Sequence, residues 1–215
     1  MGDIKHAVGI DGCKAGWIIA SIDRVNVVPT LRLDEFELVG IDMPIGLVDG
    51  PPRACDIAAR TFLGRAGSSV FPAPPRAALP HTDYRDALAA ARSAIGRGIS
   101  KQTFNIMPKI AELDSLVDPA NQHMIVEVHP ECAFKTLNDG EGLPSKKTTA
   151  GQDLRRRLLA EHFDLPMAAP RGAAIDDLLD AYAVLWSAQR YQRGVHRQFG
   201  DGQRDPRGIE MRIVC

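Results

Sequence analysis

The stretch Ala7-Val8-Gly9-Ile10-Asp11-Gly12-Cys13-Lys14-Ala15-Gly16-Trp17-Ile18-Ile19-Ala20-Ser21-Ile22 predicts how the fold begins. A short apolar run ends at the acid Asp11, turn-forming residues follow, and residues 17–22 resume a β pattern. Two apolar runs separated by a glycine-rich turn are typical of a β-hairpin. A third β-rich run, residues 25–33, contains Pro29, which favours a position toward the sheet edge.

A second acid follows another short apolar run. The residues Leu38-Val39-Gly40-Ile41 lead into Asp42, and Pro44 and Gly46 come shortly after it. Continuous apolar runs suit strands that are buried on both faces, as in a parallel pair. We therefore expect the strands that end at Asp11 and Asp42 to be neighbours, with both carboxylates at one edge of the sheet.

The rest of the chain alternates helical and extended patterns. Helical patterns cover residues 53–63, 84–95, 102–116 (interrupted at Pro108), 146–163 and 176–193, and extended patterns cover residues 124–128 and 209–214. Three β runs followed by β, helices, β and helix are the element order of the ribonuclease-H-like fold, an α/β fold with a mixed sheet and flanking helices. The sequence thus predicts a single domain over residues 1–215, with a helical insertion at about residues 51–121.

Composition narrows the functional classes. Of the 215 residues, 45% are hydrophobic and 25% charged, as in ordinary globular proteins. Twenty-six Lys and Arg against 27 Asp and Glu leave no basic surplus for strong, sequence-blind binding of nucleic acid. No apolar run is long enough for a membrane span, and residues 1–6 lack the apolar stretch of a signal peptide. Four widely spaced cysteines favour a reducing compartment, so we expect a cytoplasmic protein.

Four acids are the candidate metal ligands: Asp11, Asp42, Asp177 and Asp180. The last two lie three residues apart on a predicted helix and so share one of its faces. If the elements converge, their carboxylates repel one another unless cations are present, and such oxygen ligands suit Mg²⁺ or Mn²⁺. Two such ions can activate a water for phosphodiester cleavage.

Each of these acids also has a purely structural interpretation. Asp176 suits a helix N-cap, and Asp177 in the first helical turn suits the helix dipole. Asp11 and Asp42 suit turns at strand ends. The residues alone leave both interpretations open.

Six blocks in order along the chain carry a family resemblance: Gly9-Ile10-Asp11-Gly12-Cys13 with Gly16-Trp17, Ile41-Asp42-Met43-Pro44-Ile45-Gly46-Leu47, Arg53-Ala54-Cys55-Asp56, Ser69-Val70-Phe71-Pro72-Ala73-Pro74-Pro75-Arg76, Glu127-Val128-His129-Pro130-Glu131 and Asp176-Asp177-Leu178-Leu179-Asp180-Ala181. Together they resemble the domain-of-unknown-function 429 family (DUF429). The resemblance implies a ribonuclease-H-like fold and a nuclease activity. Residues 177–183 are also similar to the C-terminal helix of Holliday-junction resolvases, in which both acids of a DxxDA pattern bind metal. Carried over, the resemblance makes Asp11, Asp42, Asp177 and Asp180 the metal ligands.

The sequence departs from the usual pattern of such folds at residues 32–37. This link is too short for the helix that they usually place between the third and fourth strands.

Further polar residues could take part in catalysis or bind a phosphate. Glu127 could add a ligand and His129 could shuttle a proton, although a packed strand-end histidine explains His129 equally well. Ser68, Ser69 and Arg76 lie on a Gly/Ser/Pro-rich loop that could hold an anion, or could simply be a rigid packing loop. Lys146 is a further candidate for the substrate phosphate, with a solvated charge as the alternative.

The sequence therefore predicts a metal-dependent phosphodiester hydrolase, a nuclease that uses a carboxylate cluster and a metal-activated water. The near-neutral charge favours a short, structured or small nucleotide substrate over a long duplex. Two alternatives stay open. One is an enzyme or sensor for a small phosphorylated ligand, because the Asp11-Gly12 turn also resembles the phosphate-contacting hairpin of the sugar-kinase and actin superfamily. The other is a noncatalytic binding module, and the oligomeric state is not predicted.

Overall fold

The computed structural model describes residues 7–215. Residues 1–6, on which the expectation of no signal peptide rests, lie outside the described part. Within it, no helix has the length and apolar character needed to cross a membrane.

The described chain is a mixed α/β protein with seven strands and six α-helices. The strands are β1 (Ala7–Cys13), β2 (Gly16–Ala20), β3 (Val25–Val28), β4 (Leu38–Ile41), β5 (Ile125–Val128), β6 (Gln198–Phe199) and β7 (Ile213–Val214). The helices are α1 (Ala54–Leu63), α2 (Tyr84–Ile95), α3 (Lys101–Leu116), α4 (Pro130–Leu137), α5 (Thr149–Ala160) and α6 (Ile175–Gln192).

All seven strands belong to one mixed sheet with the order β3-β2-β1-β4-β5-β7-β6. The first three strands are antiparallel neighbours, whereas β1 pairs with β4, and β4 with β5, in parallel. Strands β1, β4 and β5 are almost wholly buried, which explains their continuous apolar sequences. The expected hairpin and the expected adjacency of the first and fourth strands are both confirmed.

The chain forms two compact units. Within the described residues, the first contains residues 7–42, Met124–Gln198 and Val214–Cys215, and its helices are α4, α5 and α6. The second contains Met43–His123 and Phe199–Ile213, with helices α1, α2 and α3. The second unit has an apolar cluster of its own, built from Ala78, Ala87, Ala91, Ile99 and Met107.

In the first unit, α6 packs directly on the parallel strands. Residues 178–188 of this helix are all buried, as expected for a helix covered by other elements rather than solvated along one face. Gly9 of β1 and Gly40 of β4 stand opposite each other in register. A Cβ at Gly9 would collide with the backbone of Ala181 and Leu185, so the missing side chain is what allows helix and strand to approach.

Several elements differ from the sequence-based expectations. Strand β1 continues through Asp11 to Cys13, and α5 covers only Thr149–Ala160, so Lys146 precedes the helix. Strand β3 ends at Val28, because Pro29 removes a ladder donor, and the last strand shortens to Ile213–Val214. Helix α3 continues through Pro108, with Met107, Ile110 and Leu113 buried around the break in its hydrogen bonding. Helix α4 was not predicted, because it starts directly after a strand, with Pro130 at its first position.

Candidate functional site

The site begins with two acids at the same end of neighbouring strands. Ile10 of β1 is in register with Ile41 of β4, and the acids Asp11 and Asp42 come directly after them. The Asp42 N–H continues the ladder by donating to the Ile10 carbonyl at 2.9 Å. The Oδ1 of Asp11, a buried side chain, accepts a hydrogen bond of 2.6 Å from the Gly12 N–H. The parallel pair therefore delivers two carboxylates to one place.

Helix α6 adds a third carboxylate. Because Ala181 and Leu185 lie against Gly9, the preceding residue Asp180 lies near the end of β1 at which Asp11 is found. The Asp180 residue is 3% exposed. Its Oδ1 is buried and accepts no hydrogen bond from the described residues. A buried carboxylate oxygen without a donor is costly, and such atoms are usually satisfied by a proton, a water or a cation.

The electrostatics of Asp11 reflect this convergence. Burial raises the pKa of Asp11 well above its ordinary value, and the charges of Asp42, Asp180 and Asp177 raise it further. The charge of Lys146 acts in the opposite direction. Asp11 therefore lies close enough to three other acids and to one lysine for their charges to change its pKa.

Asp42 and Asp180 have the same character. Burial raises the pKa of Asp42 well above its ordinary value, and Asp180, Glu127 and Glu131 add to the effect against Lys146. Burial also raises the pKa of Asp180 to about 6, although its ion pair with Lys146 favours the charged form. Ionisation is therefore disfavoured at all three positions, which is typical of acids gathered at functional sites.

Lys146 is the cation within this group of acids. Its Nζ donates to Asp180 Oδ2 at 2.7 Å, and its side chain is 40% exposed. Burial lowers the pKa of Lys146, but the charges of Asp180, Asp11 and Asp42 outweigh that effect and raise it overall. The ammonium therefore stays charged and offsets part of the negative charge of the cluster.

An ion pair between α5 and α4 supports the segment that carries Lys146. Arg155 of α5, with a side chain 3% exposed, forms two 2.7 Å hydrogen bonds to the Glu131 carboxylate in the first turn of α4. Arg155 also donates to the carbonyls of Pro144 and Gly151. Sequence reasoning did not single out Arg155. Its signal is position, because it shares the buried face of α5 with Gly151 and Leu159, where an arginine needs a partner.

The fourth expected ligand, Asp177, has a local structural role. Its Oδ2 accepts a hydrogen bond of 2.8 Å from the Ala174 N–H, and so closes the first turn of α6. The helix starts at Ile175 with Ala174 as its N-cap, so the alternative of Asp176 as N-cap is wrong. The charge of Asp177 still acts on Asp11, which places it at the margin of the cluster.

Glu127 and His129 flank the cluster from β5. Glu127 is buried and stands in register with Ile41, and its charge raises the pKa of Asp42. His129 is the N-cap residue of α4, and its carbonyl accepts hydrogen bonds from the N–H groups of Cys132 and Ala133. The structure thus brings Glu127 to the acids and gives the backbone of His129 a structural role.

The remaining predicted site residues lie in the second unit. Ser68 and Ser69 end a short 3-10 helix, Gly64–Ser69, and the Ser69 hydroxyl donates to the Ala66 carbonyl at 2.8 Å. Arg76 forms ion pairs of 2.7 Å with both Asp114 and Asp205. These contacts show what holds the loop, and phosphate binding by it stays a prediction.

Residues 9–204 match the family described as protein of unknown function, DUF429. The chain belongs to the DUF429 family. Comparison with curated proteins and with solved structures gave no match. The family resemblance carried by the six sequence blocks is thereby confirmed.

The donor set of this DUF429 protein can be compared with what a divalent cation requires. Among residues 7–215, no group of three or more His, Cys, Asp and Glu side chains is arranged to hold a metal ion. Lys146 donates to one oxygen of Asp180, and the Ala174 N–H donates to one oxygen of Asp177. The all-oxygen donors, their raised pKa values and the orphaned Asp180 Oδ1 nevertheless fit the chemistry of Mg²⁺ or Mn²⁺.

Proposed function

We propose that this protein is a metal-dependent phosphodiester hydrolase, a nuclease with a ribonuclease-H-like fold. One observation carries the proposal: β1, the end of β4 and α6 bring Asp11, Asp42 and Asp180 together. There the charge of Asp180 raises the pKa of Asp11 and of Asp42, and the charge of Asp42 raises the pKa of Asp11. Gathering three carboxylates in this way disfavours the charged form of each. Binding of divalent cations would offset that repulsion, which explains why the three carboxylates lie together.

The order of the elements supports the fold assignment. Strands β1, β2 and β3 are antiparallel neighbours, and β4 and β5 extend the sheet from β1 in parallel. Helix α6 packs across β1 and β4. This order agrees with the ribonuclease-H-like pattern expected from the sequence. The absence of a helix between β3 and β4 within residues 25–41 is the departure expected from the short link.

Each residue of the cluster has a role in the proposed reaction. Asp11, Asp42 and Asp180 would hold Mg²⁺ or Mn²⁺, with Asp177 at the margin. Bound there, such ions would activate a water and stabilise the leaving oxygen of a phosphodiester. Glu127 keeps the local charge negative, and Lys146, whose side chain is partly exposed, contacts the substrate phosphate. His129 is the proposed proton shuttle at the edge of the site.

Charge limits the proposed substrates. A net charge of −1 gives no basic surplus for a long duplex. We therefore propose short, structured or small phosphodiester substrates, recognised mainly at the site itself.

The test is cleavage by the purified protein in Mn²⁺ or Mg²⁺. Single-stranded, duplex, hybrid and branched nucleic acids, together with a small chromogenic phosphodiester, form the panel. We expect cleavage of at least one substrate, loss of it in chelator and in Asp11→Asn, and wild-type activity in Asp23→Asn, a matched change at an exposed acid. An intact panel at high protein concentration would count against the proposal, and equal activity in Asp11→Asn would point to a contaminant.

A further inference from the structure

Lys146 is held where a cation is needed most. Its ammonium contacts Asp180 directly, and its charge lowers the pKa of Asp11, Asp42 and Asp180 alike. A lysine at a solvated surface would not act at once on three acids, two of which, Asp11 and Asp180, are buried. Lys146 is thus an internal counter-ion for the whole cluster.

The segment around Lys146 is built to keep it there. The carbonyl of Pro144 accepts from Arg155 at 2.8 Å, and the Ser145 carbonyl accepts from the Thr148 hydroxyl at 2.8 Å and from the Thr148 N–H at 3.0 Å. A side chain at Gly151 would collide with the Ser145 carbonyl, so α5 and this segment are in close contact. The backbone on both sides of Lys146 is therefore tied to α5.

The Lys146 side chain can move even though its backbone is fixed. Four methylene groups separate the fixed backbone from the ammonium, and the side chain is 40% exposed. It can therefore leave Asp180 by rotating its own bonds, with no movement of the helices. Its stem and charge then face solvent, where an anion can meet them.

We propose that Lys146 competes with the first divalent cation for Asp180, and that its release on metal binding makes its ammonium available to the substrate phosphate. This inference rests on the proposed function, because it takes Asp11, Asp42 and Asp180 as the metal ligands. Two cations cannot share Asp180 Oδ2 at contact distance without strong repulsion. An ion that binds the neighbouring Oδ1, which accepts no hydrogen bond from the described residues, would lie on the same carboxylate as the ammonium and repel it.

The experiment measures Mn²⁺ binding itself. Wild type, Lys146→Met and Lys146→Gln are titrated with Mn²⁺ by calorimetry, and Lys147→Met, at an exposed neighbour, is the matched control. We expect both Lys146 variants to bind Mn²⁺ about tenfold more tightly than wild type, because metal no longer displaces a bound ammonium. Lys147→Met should bind as wild type does. Thermal melts in chelator establish that each variant is folded. If Lys146→Met does not fold, Lys146→Gln provides the test.

A second measurement follows the Lys146 side chain directly in the wild-type protein. Reductive methylation with ¹³C labels the lysines without removing their charge, and Mg²⁺ is then added. The Lys146 signal should move with the same midpoint as Mg²⁺ binding, whereas that of Lys147 should not.

The outcomes separate the inference from the proposed function. If wild type binds Mn²⁺ and the Lys146 variants bind it equally or more weakly, the competition is refuted while the metal site stands. If neither wild type nor variants bind Mn²⁺, the cluster is not a metal site, and both the proposed function and the inference fail. Tighter binding by the variants together with a moving Lys146 signal supports both.

Discussion

Asp11 shows how a single residue can be kept at a cost to stability. Burial and three neighbouring acids raise its pKa, so the folded protein disfavours its charged form. The penalty is absent at low pH, where Asp11 is protonated in both states. It grows as the pH rises above the unfolded value of 3.8 and is complete above the folded pKa.

We therefore expect Asp11→Asn to melt at or above wild type in chelator at pH 8, because the amide removes the penalty and still accepts the Gly12 hydrogen bond. The difference should shrink as the pH falls toward 4. In millimolar Mn²⁺ the order should reverse, since wild type gains more from binding. Thermal melts at several pH values, with Asp23→Asn as control, decide this. A variant destabilised equally in chelator and in Mn²⁺ would mean that Asp11 has only a structural role within β1.

The residues of the candidate site show which of its features could be predicted from the sequence. Asp11 and Asp42 each follow a short apolar run of neighbouring strands, so their adjacency follows from local pattern and the geometry of parallel sheets. The place of Lys146 does not, because it depends on Arg155 reaching from α5 to Glu131 and to the Pro144 carbonyl. Likewise, spacing alone could not show that Asp177 closes the first turn of α6 while Asp180 turns inward.

At the scale of elements, the contact between α6 and the parallel strands sets the site. We expect Gly9→Ala to lower the free energy of unfolding by about 3 kcal/mol or more, or to prevent folding, because backbone atoms block the new methyl. Gly40→Ala should cost less, about 1–3 kcal/mol, since its nearest neighbours lie at 3.0 Å and include the side chains of Val184 and Ala188.

The matched control is Gly142→Ala, where nothing lies within 4 Å. It should change the free energy of unfolding by no more than about 0.5 kcal/mol. Denaturant titrations measure all three variants. Equal effects of Gly9→Ala and Gly142→Ala would contradict the close packing of α6 on β1.

Elements with a long, regular pattern could be predicted, and short ones bounded by unusual residues could not. The hairpin, α1, α2 and α6 follow from turn glycines and from helical spacing ended by residues such as Gly64 and Gly96. Helix α4 has only 8 residues and begins with a proline next to a strand, so its periodicity is too brief to see. Helix α3 passes through Pro108 because burial of its apolar residues outweighs one lost hydrogen bond.

At the scale of the molecule, the second unit is built from two segments far apart in the chain, 43–123 and 199–213. The helical patterns of the sequence predict residues 43–123 as a helical segment. No local pattern in residues 199–213 shows that they pack with that segment. The link is Asp205, whose side chain is fully buried. It accepts from the Leu47 N–H at 3.3 Å and from Arg76 at 2.7 Å.

Replacing Asp205 should therefore loosen the second unit in particular. Asp205→Ala leaves the Leu47 and Ile209 N–H groups without this acceptor and breaks a partly buried ion pair with Arg76, so we expect the free energy of unfolding to fall by about 3 kcal/mol. Asp205→Asn should lose less, because its amide oxygen still accepts, and Asp201→Ala, at an exposed acid of the same segment, should lose about 0.5 kcal/mol or less. Native-state hydrogen exchange should show faster exchange in residues 43–123 and 199–213, with protection kept in β1, β4 and α6. Uniform loss of protection along the chain would show that Asp205 stabilises the whole molecule rather than the unit it joins.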